Sequence, residues 1–527
     1  MKIGSKAPQR RSSIVALAVA LGIVFALGLF LGHNNIVGQL QDQSSTLMTT
    51  QSETVDVPVL QIDMPFEHYD TLLAQRETAL AQNVVIPSAS DFVTATIQFN
   101  GESVPVNVRL LGGSAGNLAD TDKWNLDLRT RRDAKLADMQ RFHLLNASEN
   151  DWLYETGFAE TLRHEGILAP RYDFVDLVFN GDSWGSYALQ EGFGDELMTA
   201  NERTAGVLVG FDTDILREMI AVWGDEKALF ADPIRDFSAS SFRSLEVDAF
   251  RDATLARDEV RSAERERAIG LLRAVQAGNT KPSDVFDVAQ FGRFLAVVDL
   301  WGALDALSLE NLRYYYNPDT DLLEPIGFNG NPLSRDGRIS ADAFYGDPAI
   351  AAAYAEAAQR IADPAYLEEL QTLLEPLYAS ENQPFLGDAL AERQALMSQS
   401  LAPQQPILAY LIEPEQVGAP HLIIDVANAI QLPVYLLGIN LNDIVFLPFE
   451  AAWLDSADTA TLTLPPLDRE NPALDFVRLT VPLGDLIRTE REIDFDQPLD
   501  ITIATQLPAS GTQFTRVREG YPAIQAP

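Results

Sequence analysis

At 527 residues, with no cysteine and a formal net charge of −38, the chain is too long for one hydrophobic core and should divide into two or three domains. The missing cysteines exclude a disulfide framework, a thiolate zinc site and a cysteine nucleophile, and the acidic balance argues against binding nucleic acid or lying flat on an anionic membrane. The histidines, His33, His68, His143, His164 and His421, lack metal-ligand spacing and read as surface or packing residues.

Lys2, Lys6, Arg10 and Arg11 precede an uncharged apolar run, Ile14 to Gly32. That run is close to the roughly 20 residues a membrane-spanning helix needs. The next basic side chain is Arg76, so the positive-inside rule leaves residues 1–13 in the cytoplasm and exports everything from His33 onward. A cleaved signal peptide is the alternative reading of the same run, and either way the body is periplasmic or extracellular. Residues 33–56 are polar and rich in Gln, Ser and Thr, which is a linker composition.

The folded part opens with VPVLQIDM, a strand, and PFEHYDTLLAQRETALAQN, a helix whose apolar face carries Tyr69, Leu72, Leu73 and Leu80. FVTATIQF and VPVNVRLL, joined at Asn100-Gly101, form a hairpin by turn chemistry. The loop from Gly112 to Asn117 could turn backbone N–H groups inward around phosphate, or serve as an ordinary connection. A strand KWNLDLR opened by Lys123 follows, then a helix, FAETLRHEGIL, ending before Pro170. FVDLVF and SWGSYALQE make a second hairpin at Asn180-Gly181.

From Asp212 to Phe242 the chain is acidic and reads as loop. AFRDATLARDEVRSAERERAIGLLRAVQAG has the charge pattern of an exposed helix or helix pair, and SDVFDVAQFGRFLAVVDLWGALDAL is a more buried helical stretch. DPAIAAAYAEAAQRIA and DPAYLEELQTLLEPLYA each begin with Asp-Pro, a helix-initiating pair. Over residues 403–527 short apolar runs such as HLIIDVANAIQLPVYLLGINL and LDITIATQL, separated by turn residues, predict an all-β, sandwich-like domain.

The runs RLLGGSAGNLADTDKWNLDLR, RFHLLNASENDWLYE, EGILAPRYDFVDLVFNGDSWGSYALQEGFGDEL and DLWGALDALSLENLRYYYNPDTDLLEPIGFNG together resemble the CotH kinase family, atypical protein kinases first associated with spore coats. The likeness spans about Val57 to Leu401. It implies an α+β fold, with a kinase-like domain over residues 57–402 built from a β-rich small lobe and a helical large lobe. It also implies use of ATP with Mg2+ or Mn2+ to phosphorylate protein serine or threonine. On this resemblance Gly112, Gly113, Ser114, Lys123 and Glu191 are the cofactor-binding candidates. Lysine is rare past the apolar run, occurring at 123, 135, 227 and 281, which singles out Lys123 for phosphate, as on a kinase strand. Glu155 or Glu160 could pair with it, or simply belong to a solvated helix face. Asp305 lies six residues before Asn311, close to kinase-loop spacing, so Asp305 and Asn311 are the catalytic candidates and Asn311 and Asn329 the metal candidates. Both Asp305 and Asp299 could instead be structural carboxylates.

The departures from the family pattern bear on activity. Gly113 stands where an acidic residue is expected, Gly116-Asn117 where an Asp-His pair is, Gln190-Glu191 where Glu-Glu is, and Gly210 where lysine is common. In GFNGN, Asn329 and Asn331 hold positions of metal-binding aspartates. An amide oxygen can ligate Mg2+ but brings no charge, so metal affinity should fall unless Asp319 or Asp321 folds back to replace the lost carboxylates. Two readings follow: an extracytoplasmic ATP-dependent kinase acting on envelope or secreted proteins, or a catalytically inactive kinase-like protein that binds or scaffolds an envelope partner.

Overall fold

The computed structural model describes residues 57–119, 123–147, 152–223, 245–250, 255, 257–333, 347–381, 383–412, 421–430, 432–454, 463–464, 474–484, 499–508 and 510–519. The expected cytoplasmic tail, membrane segment and linker lie outside these residues, as does the side chain of Asn117. Among the described residues no helix is long and apolar enough to cross a membrane.

Strand β1, Val59–Asp63, leads into helix α1, Phe66–Gln82, and the short strand β2, Val84–Val85. The expected hairpin is present as β3, Val93–Phe99, and β4, Glu102–Leu110. Val93, Ala95 and Ile97 are buried, as are Val104, Val106, Val108 and Leu110, so the inward residues alternate with outward ones. Asn100 and Gly101 both take positive φ, 49° and 81°, as this two-residue turn requires. Next come β5, Gly113–Ser114, β6, Leu126–Thr130, β7, Arg141–Asn146, and helix α2, Trp152–His164. The second hairpin, β8, Tyr172–Phe179, with β9, Asp182–Glu191, turns at Asn180 and Gly181 in the same conformation. These strands close into a barrel in the order β1-β3-β4-β6-β7-β9-β8, shut by parallel pairing of β1 with β8. Trp124, Phe142, Phe179, Trp184 and Tyr187 belong to its core, with Phe179 stacked on Trp184 at 4.4 Å. Closure leaves the barrel no open edge.

After α3, Asp195–Ala200, a second sheet runs in the order β11-β10-β12-β13. Its strands are β10, Val207–Phe211, β11, Val247–Ala249, β12, Arg313–Asn317, and β13, Leu322–Ile326. The acidic stretch read as loop contains helix α4, Asp214–Trp223, before passing outside the described residues. The predicted charged helix is α5, Glu259–Gln276, capped by Asp258. Helix α6, Val288–Trp301, starts on an Asp287 cap and stops at Gly302 in the left-handed conformation, and its last eight residues are all buried. Helices α7, Pro348–Ile361, and α8, Pro364–Ser380, begin at the two Asp-Pro pairs, where the Asp347 and Asp363 side chains accept from the N–H groups of Ala349 and Ala365. Helices α7 and α9, Gly387–Leu401, pack against α6, and α8 lies on α9, α2 and α7.

Toward the C-terminus, β14, Ile407–Ile412, β15, His421–Asn428, β16, Val434–Leu441, and β17, Val445–Pro448, are followed by β18, Thr463–Leu464, β19, Val477–Pro482, β20, Ile501–Gln506, β21, Thr512–Arg516, and β22, Arg518–Glu519. They form two sheets, β19-β15-β14-β22 and β17-β16-β20-β21 with β18 on β16, around one core that includes Ile424, Val426, Ile439 and Ile503. The fold is therefore mixed α and β. Val57–Pro527 form one compact unit.

Candidate active site

A cleft of about 430 Å³ is lined on the barrel side by Gly112, Gly113, Ser114, Asn125, His143 and Gln190. Facing them are Asp305, Asn311, Arg313, Asn329 and Asn331, with Leu145, Trp152, Phe193 and Phe328 adding apolar surface. The volume is that of a small-molecule site, and polar side chains outnumber apolar ones along its walls.

The barrel-side loop is shaped by its glycines. Gly113 pairs with Val85 and has φ +132°, a conformation that an L side chain rarely adopts, so the acidic residue expected here would strain the backbone. Ser114 follows it and accepts from the Gly116 N–H.

Opposite, three asparagines and one aspartate form a connected group. The Asn311 side-chain amide donates to the carbonyls of Asp305, at 2.9 Å, and Asn329, at 3.2 Å. Asn331 Nδ2 donates to Asp305 Oδ2 at 3.2 Å. Asn329 and Asn331 both take left-handed φ, 51° and 49°, which asparagine tolerates better than most residues. Behind them Glu155 from α2 is buried, its Oε1 accepting from the Gly330 N–H at 3.0 Å and its Oε2 from the Asn331 N–H at 3.1 Å. Burial pushes Glu155 up to about 7, against the backbone N–H donors, which pull it down, and with a small push from Asp305. Glu155 thus clamps the loop that presents both asparagines.

The donor set suits a hard divalent cation held jointly with a phosphate ligand. Asp305 supplies a carboxylate, and the Asn311, Asn329 and Asn331 amide oxygens are neutral hard donors. Among the described residues no group of three or more His, Asp or Glu side chains could hold a metal alone. Asp319 and Asp321 do not line the cleft. Asp321 is engaged by Arg267 and the Tyr316 hydroxyl.

Residues 108–327 match the family model described as CotH kinase protein. Over these residues the chain is similar to the CotH kinase family. A search of curated proteins gives no match. The CotH match ends two residues before Asn329, so GFNGN straddles its boundary.

Within this CotH domain the expected site residues divide. Gly112, Gly113, Ser114, Asp305, Asn311 and Asn329 line one cleft, and Asn331 joins them. Lys123 does not line it; it precedes β6 rather than lying on the strand. Asn125, two residues on, faces the cleft instead. Glu191 is also absent from the lining: it is buried in a bidentate ion pair with Arg171, at 2.7 and 3.0 Å, while its neighbour Gln190 reaches the cleft and bonds His143. The expected partnership of Lys123 with a helix glutamate gives way to the Glu155 clamp, and Glu160 pairs with Arg163. Asp299 is structural, accepting from the Tyr354 hydroxyl at 2.6 Å inside the helical core. His143, Arg217, Glu310 and Arg313 are cleft residues not anticipated from sequence. Arg313 opens β12 two residues after Asn311, and no pattern in the sequence marks it.

Proposed function

We propose that the CotH domain binds ATP with Mg2+ or Mn2+ and transfers the γ-phosphoryl group to a hydroxyl of an envelope or secreted protein. The observation that carries this reading is the convergence of Asp305, Asn311, Asn329 and Asn331 on the cleft that also holds the Gly112–Ser114 loop. In this reading the barrel is the small lobe of a kinase-like pair and the helices around α6 the large lobe. Asp305 accepts the hydroxyl proton as the substrate oxygen bonds to the γ-phosphorus and the bond to the departing ADP oxygen breaks. Asn311, Asn329 and Asn331 would hold the metal, which would supply charge neutralisation for the phosphates. Leu145, Trp152, Phe193 and Phe328 offer the base an apolar bed. The basic tail before the apolar run Ile14–Gly32 supports an N-terminus in the cytoplasm and a body, residues 57–402 and 403–527, outside it.

The scarcity of carboxylates favours a second reading, a kinase-like domain that binds or scaffolds a partner without transfer. Titration of MgATP and MnATP into the full chain, beside transfer of labelled γ-phosphate to itself and to a basic protein substrate, separates the two. The expected result is metal-dependent binding, and transfer that Asp305→Asn lowers by about 100-fold or more. Nucleotide binding without transfer in the wild type would select the scaffold, and no nucleotide binding would reject the kinase.

A further inference from the structure

Two arginines line the cleft, and they are not equivalent. Arg217 donates to Asp214 at 2.7 Å and to Glu310 at 2.6 Å, so two carboxylates meet its charge. Arg313, on β12, donates Nη1 to the Leu312 carbonyl at 2.8 Å and lies 5.0 Å from the Phe250 ring centroid. Among the described residues no carboxylate lies within ion-pair distance of Arg313, and its buried Nε has no hydrogen-bond partner. The sheet is built to admit it. Arg313 pairs with Gly210 of β10, where a Cβ would stand 2.8 Å from its Cδ and 3.2 Å from its Nη1.

A half-buried guanidinium with no carboxylate in ion-pair contact has its charge unmet, and an oxyanion entering the cleft would meet that charge on a planar donor.

We propose that Arg313 is the anion receptor of this cleft, taking the phosphate chain of a nucleoside triphosphate on its guanidinium. The assignment rests on the nucleotide reading above for the identity of the ligand, and it gives the phosphate-binding role to Arg313 in place of Lys123.

The test titrates MgATP, adenosine and tripolyphosphate into the full chain as wild type, Arg313→Met, Arg313→Lys and the double variant Arg313→Ala with Gly210→Lys. Thermal melting checks that each is folded. Arg313→Met should weaken MgATP by roughly 10- to 100-fold and leave adenosine unchanged. Arg313→Lys should keep part of the affinity. The double variant should recover part of it, because a lysine at 210 enters the space vacated by the arginine. If the methionine variant fails to fold, Arg313→Gln carries the same comparison. Equal MgATP affinity in wild type and the folded neutral variant would overturn the assignment and leave the nucleotide reading standing. If the wild type binds no ATP, the nucleotide reading falls and tripolyphosphate decides: binding lost on neutralising Arg313 supports the receptor, and no binding overturns it as well.

Discussion

Glu155 is a carboxylate turned away from solvent to hold two backbone N–H groups, and this gives it a pH signature. Its folded pKa is pushed up to about 7 from an ordinary value of 4.5. Between those values the folded chain keeps a proton that the unfolded chain has released, so the unfolded state binds fewer protons and stability falls as pH rises. The contribution is fully present below the unfolded value and is lost as pH climbs through about 7, a change of about 3 kcal/mol. Urea denaturation of wild type and Glu155→Gln across that window should show the wild type losing stability relative to the variant by about this amount. A pH-independent difference would mean that Glu155 is ionised throughout. Because the two N–H groups use separate carboxylate oxygens, Glu155→Gln sets an NH2 donor against one of them and should also loosen the Asn329–Asn331 turn. A several-fold loss of metal-dependent nucleotide affinity at neutral pH would report it.

Helix α6 shows how an element far from solvent holds the site. It ends at Trp301, four residues before Asp305, and its Gly292 lies against α7 so closely that a Cβ would stand 2.5 to 2.7 Å from the backbone and Cβ of Ala353. Gly292→Ala gains helix propensity of about 1 kcal/mol, but the helix crossing would have to open. The net expectation is destabilisation of roughly 1–3 kcal/mol, measured as a lower urea midpoint with unchanged slope; a stabilised variant would show that the crossing yields. Elements fixed by local chemistry were legible in the sequence, as at Asn100-Gly101, Asn180-Gly181, Asp347-Pro348 and Asp363-Pro364. Those fixed by distant contacts were not. Pairing of β1 with β8 joins residues more than a hundred positions apart, and β12 hides because Tyr314, Tyr315 and Tyr316 are all buried, erasing the period-two alternation. The same division holds in the cleft. Asp305, Asn311, Asn329 and Asn331 were reachable through motif order, whereas Arg313 and Arg217 meet only after folding. Lys123 was chosen for its scarcity, which says nothing about where a side chain points.

At the scale of the whole molecule, a net charge of −38 belongs to a chain whose cleft presents Arg313 with no carboxylate among the described residues in ion-pair contact. The two act over different distances. At about 10 mM ionic strength the Debye length is roughly 30 Å, so an approaching nucleotide feels the summed acidic surface and is repelled before it meets Arg313. At about 150 mM the length is roughly 8 Å: the distant carboxylates are screened, and the contact with Arg313 governs the last step. Association of a fluorescent ATP analogue with the full chain, followed by stopped flow, should therefore quicken as salt rises through this range, the reverse of the usual slowing for attractive steering. Dissociation should change less, because it reports contacts inside the cleft. A basic protein substrate should show the opposite trend, associating faster at low salt. If nucleotide association instead slows with added salt, the cleft's own field already governs at long range, and the acidic surface must be distributed away from its mouth.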